Sequence, residues 1–382
     1  MIPYGRQDVR REDIDAVIDV LRSDFLTQGP MVPRFERAVA EKTGAAHAVA
    51  VNSATSALHI ACLALDLGPR DWLWTSPITF VASANCGRYC GANVDFVDID
   101  PKTYNMCPTR LHEKLVEADR NGCLPKVVVP VHLGGQSCDM DAVSALAKQY
   151  GFRVIEDASH AIGAHYQGAP VGNCAHSDIA VFSFHPVKII TTAEGGMALT
   201  QDAALAGRME RLRSHGITRD PELMTHTADG PWYYQQVELG WNYRMTDIQA
   251  ALGNAQMARL EEYVARRNEL ADRYDRLLAD LPLARVGRAQ GALSAFHLYV
   301  IRVAPERHRA VFEGIRSRGI GVNLHYIPVH LQPYYRRLGF GPGDFPEAER
   351  YYAEAISLPL FPAMTEVTQD EVVAAVAAEL AQ

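Results

Sequence analysis

The sequence predicts an α/β fold. A large lobe with a mostly parallel, seven-stranded sheet sandwiched by helices is followed by a smaller α+β lobe at the C-terminal end. Three observations predict it. Seven short apolar runs, at residues 47–51, 72–76, 94–99, 127–132, 153–155, 179–184 and 197–200, are nearly continuous rather than alternating, as in strands buried on both faces. Helical stretches fall between them, at 56–65, 80–91, 109–117, 139–150 and 203–215, which is the rhythm of parallel strands joined by crossover helices. The 382 residues also exceed one ordinary core. Two domains are therefore expected, residues 1–250 and residues 251–382, the second opening with a linking helix.

Each element has a local reason. Residues 9–22 read as a helix because Val9, Ile14, Val17, Ile18 and Leu21 recur close to helical spacing. Residues 33–42 read as a second helix, with Pro33 at its start and Gly44 beyond its end. Residues 216–244 are poor in aliphatics and rich in Gly, Thr, Tyr and Trp. They read as a long loop, and a loop of that length is usually functional or sits at an interface. Residues 247–278 read as one long helix, striped by Ile248, Ala251, Leu252, Ala255, Leu260, Tyr263 and Leu270. In the smaller lobe, strands are expected near 296–303 and 321–327, and helices near 306–318, 346–355 and 368–381.

Composition removes several classes of function. The net charge is −8 and no basic block stands out, which argues against nucleic acid as a partner. The seven cysteines are scattered, with no Cys-x-x-Cys and no Cys/His spacing of a zinc site, so no metal is expected and the thiols fit a reducing compartment. No stretch reaches 18 apolar residues, and no apolar region follows a basic N-terminus. The expectation is a soluble, cytoplasmic enzyme with no membrane partner. Phosphate-loop, nucleophile-elbow and zinc-protease motifs are missing, and the glycines at 339–343 are interrupted by Pro342 without a preceding strand.

Four segments carry chemistry, and all would lie at the carboxyl ends of strands, where ligands bind in open α/β sheets. Lys188 follows the apolar run 179–184 and precedes Gly195-Gly196; Asp157 closes the run Val154-Ile155-Glu156. A lysine amine and an aspartate at neighbouring strand exits suit a pyridoxal phosphate enzyme: the lysine forms a Schiff base and the aspartate keeps the pyridine nitrogen protonated. Around Thr55 and Ser56, small and hydroxyl residues at a strand-to-helix junction read either as an anion-binding helix N-terminus or as a simple N-cap by Ser53 or Thr55. Phe80 reads as a ring-stacking aromatic or a core residue. His160 reads as a group reaching the cofactor's phenolic oxygen or as a satisfied core histidine. Ser183 can donate to a phosphate.

Taken together, the motifs resemble those of the sugar-nucleotide aminotransferases, the DegT/StrS group, over nearly the whole chain. The resemblance is carried by Asn52-Ser-Ala-Thr-Ser-Ala-Leu58, Ser76-Pro-Ile-Thr-Phe80, Glu156-Asp-Ala-Ser-His-Ala-Ile-Gly163, Ser183-Phe-His-Pro-Val-Lys188, Thr191-Thr-Ala-Glu-Gly-Gly196 and Gly240-Trp-Asn-Tyr-Arg-Met-Thr-Asp-Ile-Gln-Ala-Ala251. It implies the type I pyridoxal-phosphate-dependent aminotransferase fold, with residues 1–250 holding pyridoxal 5'-phosphate. It implies Lys188 as the Schiff-base lysine, Asp157 as the partner of the pyridine nitrogen and Phe80 against the ring. Thr55, Ser56 and Ser183 would be phosphate ligands. It also implies that Asn242 reaches the phosphate of the neighbouring subunit's cofactor, in a homodimer with a shared site; Tyr243 and Arg244 would line the same interface.

Two departures from the commonest family pattern are informative. His160 stands where many members carry Gln, and His185-Pro186-Val187-Lys188 stands where many carry a Tyr-Gly-Asn-Lys type of ending. The histidines place the chain with the UDP-sugar C4 aminotransferases. Residues 231–234, 325–330 and 331–335 look most like those of the transaminases of pseudaminic acid biosynthesis. The expected substrates are L-glutamate and a UDP-linked 4-keto-6-deoxy amino sugar, with His185, His325 and Tyr326 as contacts to the sugar or diphosphate, or else as ordinary packing residues. A UDP-4-keto-pentose or another nucleotide 4-keto sugar is the alternative. Lys188 argues against a sugar 3-dehydratase of the same fold, in which that lysine is replaced by His. A non-catalytic binder of the same fold is the reading from a different class.

Overall fold

The computed structural model describes residues 1–381. The seven apolar runs become strands β1 (His47–Val51), β2 (Trp72–Thr75), β3 (Asn93–Phe96), β4 (Val127–Val129), β5 (Arg153–Asp157), β6 (Ile179–Ser183) and β7 (Gly196–Thr200). They form one sheet in the order β1-β7-β6-β5-β4-β2-β3. All pairings are parallel except those of β7, which runs antiparallel to both β1 and β6. The continuous apolar runs have a simple cause. Side chains alternate across a strand, and here both faces are covered. Val127, Val129, Ile155, Val181 and Ala198 belong to one apolar cluster, while Val128, Val154, Ala180, Phe182 and Leu199 belong to the other.

Helices α1 (Arg11–Leu21), α2 (Met31–Thr43), α3 (Ala54–Ala64), α4 (Ala82–Tyr89), α5 (Pro108–Asn121), α6 (Met140–Tyr150) and α7 (Ala203–Leu212) accompany these strands. α3 is apolar almost all round, because it lies between the sheet and helices α4 and α7. Gly44 and Gly151 end α2 and α6 in the left-handed conformation, the usual glycine stop.

The single long helix expected at 247–278 is instead two, α8 (Asp247–Met257) and α9 (Leu260–Leu277). The break is at Arg259, whose backbone is non-helical and whose amide bonds only to the Gln256 carbonyl at 3.0 Å. A tertiary contact causes it. Asp13 on α1 is fully buried, and Arg259 Nη2 meets both of its carboxylate oxygens at 2.6 Å. A buried carboxylate must be paired, and that demand outweighs one turn of helix. The apolar stripe continues through the break, so periodicity alone reads one element.

The C-terminal sheet is antiparallel, in the order β8 (Ala284–Arg285), β9 (Tyr299–Arg302) and β10 (Ala355–Leu358). Helices α10 (Pro305–Ser317), α11 (Pro333–Arg336) and α12 (Pro346–Glu354) lie between β9 and β10 in the chain, α13 (Glu366–Leu380) follows β10, and a third apolar cluster joins α9, α10, α13 and this sheet. The strand expected near 321–327 does not form. Ile320 bridges Ile2 and Asn323 bridges Ser357, and the next residues turn into the molecule, where His325 and Tyr326 find polar partners. The third strand of this sheet is β10, which begins at Ala355, the last residue of the helix expected at 346–355. The segment 216–244 is largely irregular, apart from a two-residue pairing of Ile217–Thr218 with Gln235–Gln236.

Candidate active site

A cavity of about 940 Å³ opens at the carboxyl ends of β1, β5 and β6. Ten of the eleven residues expected at a site line it: Thr55, Ser56, Phe80, Asp157, His160, Ser183, His185, Lys188, His325 and Tyr326. Asn242 does not. It is exposed on the outer loop, where it bridges Ser214.

Strand geometry places the two central groups. Alternation along β5 sends Glu156 and Asp157 to opposite faces. Glu156 pairs with His132 at 2.7 Å and with the Ser177 hydroxyl, leaving Asp157 to the cavity. Lys188 lies five residues beyond β6, in a turn closed by its own amide on the His185 carbonyl at 2.9 Å. Its side chain keeps some exposure, through the cavity, yet its surroundings are packed. Burial therefore pulls its ammonium from 10.5 down to about 8, against the opposing attraction of Asp157.

The α3 N-terminus forms a third wall. Ser53 caps it, its Oγ accepting from the Ser56 amide at 3.1 Å. Ser56 donates its one hydroxyl hydrogen to Asn52 Oδ1 at 2.7 Å, so the Ser53 hydroxyl is the donor in the 2.9 Å Ser53–Ser56 contact. Both readings of this segment therefore hold together: a cap, and a helix N-terminus facing the cavity. Gly196 is required for the approach. A Cβ there would lie 2.5 Å from the Ser53 carbonyl carbon, so only glycine lets β7 begin against this turn.

His160 and His325 are neutral donors and acceptors. The Gly134 amide donates to His160 Nδ1 at 3.2 Å, so His160 Nε2 carries the hydrogen and donates to Tyr326 Oη at 3.1 Å. Burial, then the charge of Lys188, pushes His160 well below its ordinary range and His325 down to about 4. Burial pushes the Tyr326 phenol up, so it keeps its proton.

Several lining residues escaped the sequence reading. Tyr4 arrives from the N-terminal segment, which crosses to the smaller lobe through the Leu360 amide on the Tyr4 carbonyl at 3.0 Å. His297 packs on His160 at 4.4 Å between ring centroids, and its neighbours in sequence are apolar, leaving no signal of a site. Thr79, Gln249 and Asn323 also line the cavity.

The donor set fits pyridoxal phosphate. The hydroxyls of Thr55 and Ser183 have no protein hydrogen-bond partner among the described residues, and both face the cavity beside the α3 N-terminus, where a phosphate is favoured. Lys188 offers an amine with a lowered affinity for its proton, and Asp157 offers a carboxylate. Among the described residues, no group of three or more His, Cys, Asp or Glu side chains could hold a metal ion, and no helix is long and apolar enough to cross a membrane.

Known proteins resemble the chain in sequence and fold. Residues 7–377 match the model of the DegT/DnrJ/EryC1/StrS aminotransferase family. The chain is 38% identical over 382 residues to the spore coat polysaccharide biosynthesis protein SpsC of Bacillus subtilis, covering 98% of this chain and 96% of SpsC. Among solved structures, it is similar to Spr1654 of Streptococcus pneumoniae in its PMP form, with a TM-score of 0.91, 30% identity, and coverage of 100% of this chain and 99% of that one. Helicobacter pylori PseC, an aminotransferase involved in the biosynthesis of pseudoaminic acid, matches with a TM-score of 0.90, 31% identity and the same coverage.

Proposed function

Since the chain belongs to the DegT/DnrJ/EryC1/StrS family of pyridoxal phosphate-dependent sugar aminotransferases, we propose that it transfers the amino group of L-glutamate to C4 of a UDP-linked 4-keto-6-deoxy amino sugar. The observation that carries the chemistry is the buried Lys188 amine facing the same cavity as Asp157. The sugar assignment is supported by the His160 and His185 departures from the commonest family motifs and by the likeness to PseC. A cavity of about 940 Å³ has room for a sugar as well as a cofactor.

Each residue has a separable task. Thr55, Ser183 and the α3 N-terminus hold the phosphate, Ser56 joins them by turning its hydroxyl away from Asn52 Oδ1, and Phe80 covers a ring face. Asp157 accepts the hydrogen of the ring nitrogen in a charge-assisted bond. When bound, the cofactor supplies an electron sink for a carbanion beside the nitrogen. Lys188 Nζ takes the proton from the amino acid's α carbon and later returns a proton to sugar C4, a task suited to an amine pulled close to neutral pH. The neutral His160 and His325 add no second cation beside it. His185, His325 and Tyr326 contact the sugar or the diphosphate.

Three further assignments belong to this reading. A homodimer is supported by the exposed Asn242 in a loop that also exposes Trp232, Tyr234 and Leu239. A smaller C-terminal lobe is supported by a separate apolar cluster that begins at Leu270 on α9, whereas the proposed 250/251 division falls within α8. A cytoplasmic location is supported by seven cysteines that are all unpaired.

The test is turnover of UDP- and GDP-linked 4-keto sugars with L-glutamate, with product stereochemistry read by NMR. Amination at C4 of the UDP-6-deoxy amino sugar is expected to be fastest. Preference for a UDP-4-keto-pentose or a GDP sugar overturns the substrate assignment.

A further inference from the structure

Both oxygens of the Asp157 carboxylate are held. Ser159 donates its hydroxyl (2.5 Å) and its amide (3.1 Å) to Oδ1. Ser83, 74 residues upstream on α4, donates to Oδ2 at 2.6 Å, while its approach to the Phe80 carbonyl is a much longer 3.5 Å. A hydroxyl has one hydrogen. Because Ser83 gives its own to the carboxylate, the 2.7 Å contact between the Thr79 and Ser83 hydroxyls must have Thr79 as donor. The order is Thr79 to Ser83 to Asp157. All three are buried, and Ser83, at 0% exposure and off the cavity that Thr79 and Asp157 line, is out of reach of bulk water. Ser83 does not line the cavity.

We propose that Ser83 is a positioning residue for the cofactor: with Thr79 behind it, it fixes the plane of the Asp157 carboxylate, so that the contact with the ring nitrogen depends on a hydroxyl that never touches the cofactor. The inference rests on the assignment of Asp157 to that nitrogen. With one oxygen anchored only from its own loop, the carboxylate is free to turn about its last torsion. With the second anchored from α4, a different element, it is not. The turn that leads into α4 and carries Phe80 toward the ring face is thereby tied to the group at the ring's nitrogen.

The experiment uses the full chain with pyridoxal phosphate and reads two quantities other than turnover: the dissociation constant of pyridoxal phosphate and the pH at which the visible absorbance band titrates. Ser83→Ala is expected to weaken retention roughly tenfold, the size of one hydrogen bond to a charged group, and to move the band's titration. Thr79→Val keeps the shape but loses the hydroxyl and should move both in the same direction, less far. Thr79→Ser should restore both. Ser83→Ala and Thr79→Val proteins that fold, hold the cofactor as the unchanged chain does and titrate at the same pH overturn the relay. Should Ser83→Ala fail to fold, the Thr79→Val and Thr79→Ser pair decides alone. An Asp157→Asn protein with unaltered retention and titration overturns the Asp157 assignment itself, and the relay with it.

Discussion

At the scale of single residues, one amine concentrates the chemistry. Lys188→Ala should lower transamination by roughly a thousandfold or more, the range of a lost acid–base group, and remove the visible absorbance of the loaded protein. Turnover with glutamate close to that of the unchanged chain would refute the role. The same lysine carries a cost in the cofactor-free protein. Its affinity for a proton is depressed in the fold, from 10.5 to about 8, by burial first. Between those two values the unfolded chain holds a proton that the folded chain has lost, so the stability of the cofactor-free protein rises with pH across that window. Below pH 8 the lysine is charged in both states and its burial penalty is complete; above 10.5 it is neutral in both and the penalty is gone. Cofactor-free Lys188→Met should therefore be more stable than the unchanged chain at pH 7, by about 2 kcal/mol after solvent in the cavity is allowed for. Urea melts across a pH series check this, and a gap that did not narrow above pH 8 would count against the depressed amine.

At the scale of elements, two close approaches hold the site together. The α3 N-terminus faces the cavity only because β7 starts on a glycine. Gly196→Ala drives a methyl into the Ser53–Ala54 backbone and should cost about 1–3 kcal/mol, with weaker retention of pyridoxal phosphate, both measurable by melting and titration. Retention at the level of the unchanged chain would mean that the phosphate is held elsewhere. The break between α8 and α9 is built on the Asp13–Arg259 pair. Asp13→Ala leaves Arg259, only 12% exposed in its side chain, without its counter-charge and should destabilise by about 3–5 kcal/mol. A loss below about 1 kcal/mol in denaturant unfolding would show that the pair does not set the break. These cases also show why element boundaries were harder to read than elements. Periodicity sees the apolar stripe from Ile248 to Leu270, but it does not see a carboxylate more than 240 residues away at Asp13. Likewise the apolar look of 321–327 concealed a segment whose side chains are pulled inward by Ser357 and His160.

At the scale of the whole molecule, the chain's own cavity collects every proposed site residue but Asn242, which stands on an exposed loop. If a second copy brings it to the partner's cofactor, Asn242→Ala should weaken retention of pyridoxal phosphate several-fold, about the worth of one hydrogen bond to a charged group, in a protein that still sediments as a dimer. A fully active monomer would end the shared-site reading.

The sequence by itself determined the sheet and the chemistry. Continuous apolar runs such as Val127–Val129, repeated between helical stretches, read as strands covered on both faces, and such a sheet gathers the residues at its carboxyl ends, which is why Lys188, Asp157 and Thr55 were legible as one site. Tertiary structure alone decided what converges from far along the chain. Tyr4 and His297 reach the cavity, Ser83 reaches Asp157 and Asp13 breaks a helix because packing brings distant segments within hydrogen-bond range. Local spacing carries no information about a partner 74 or 246 residues away.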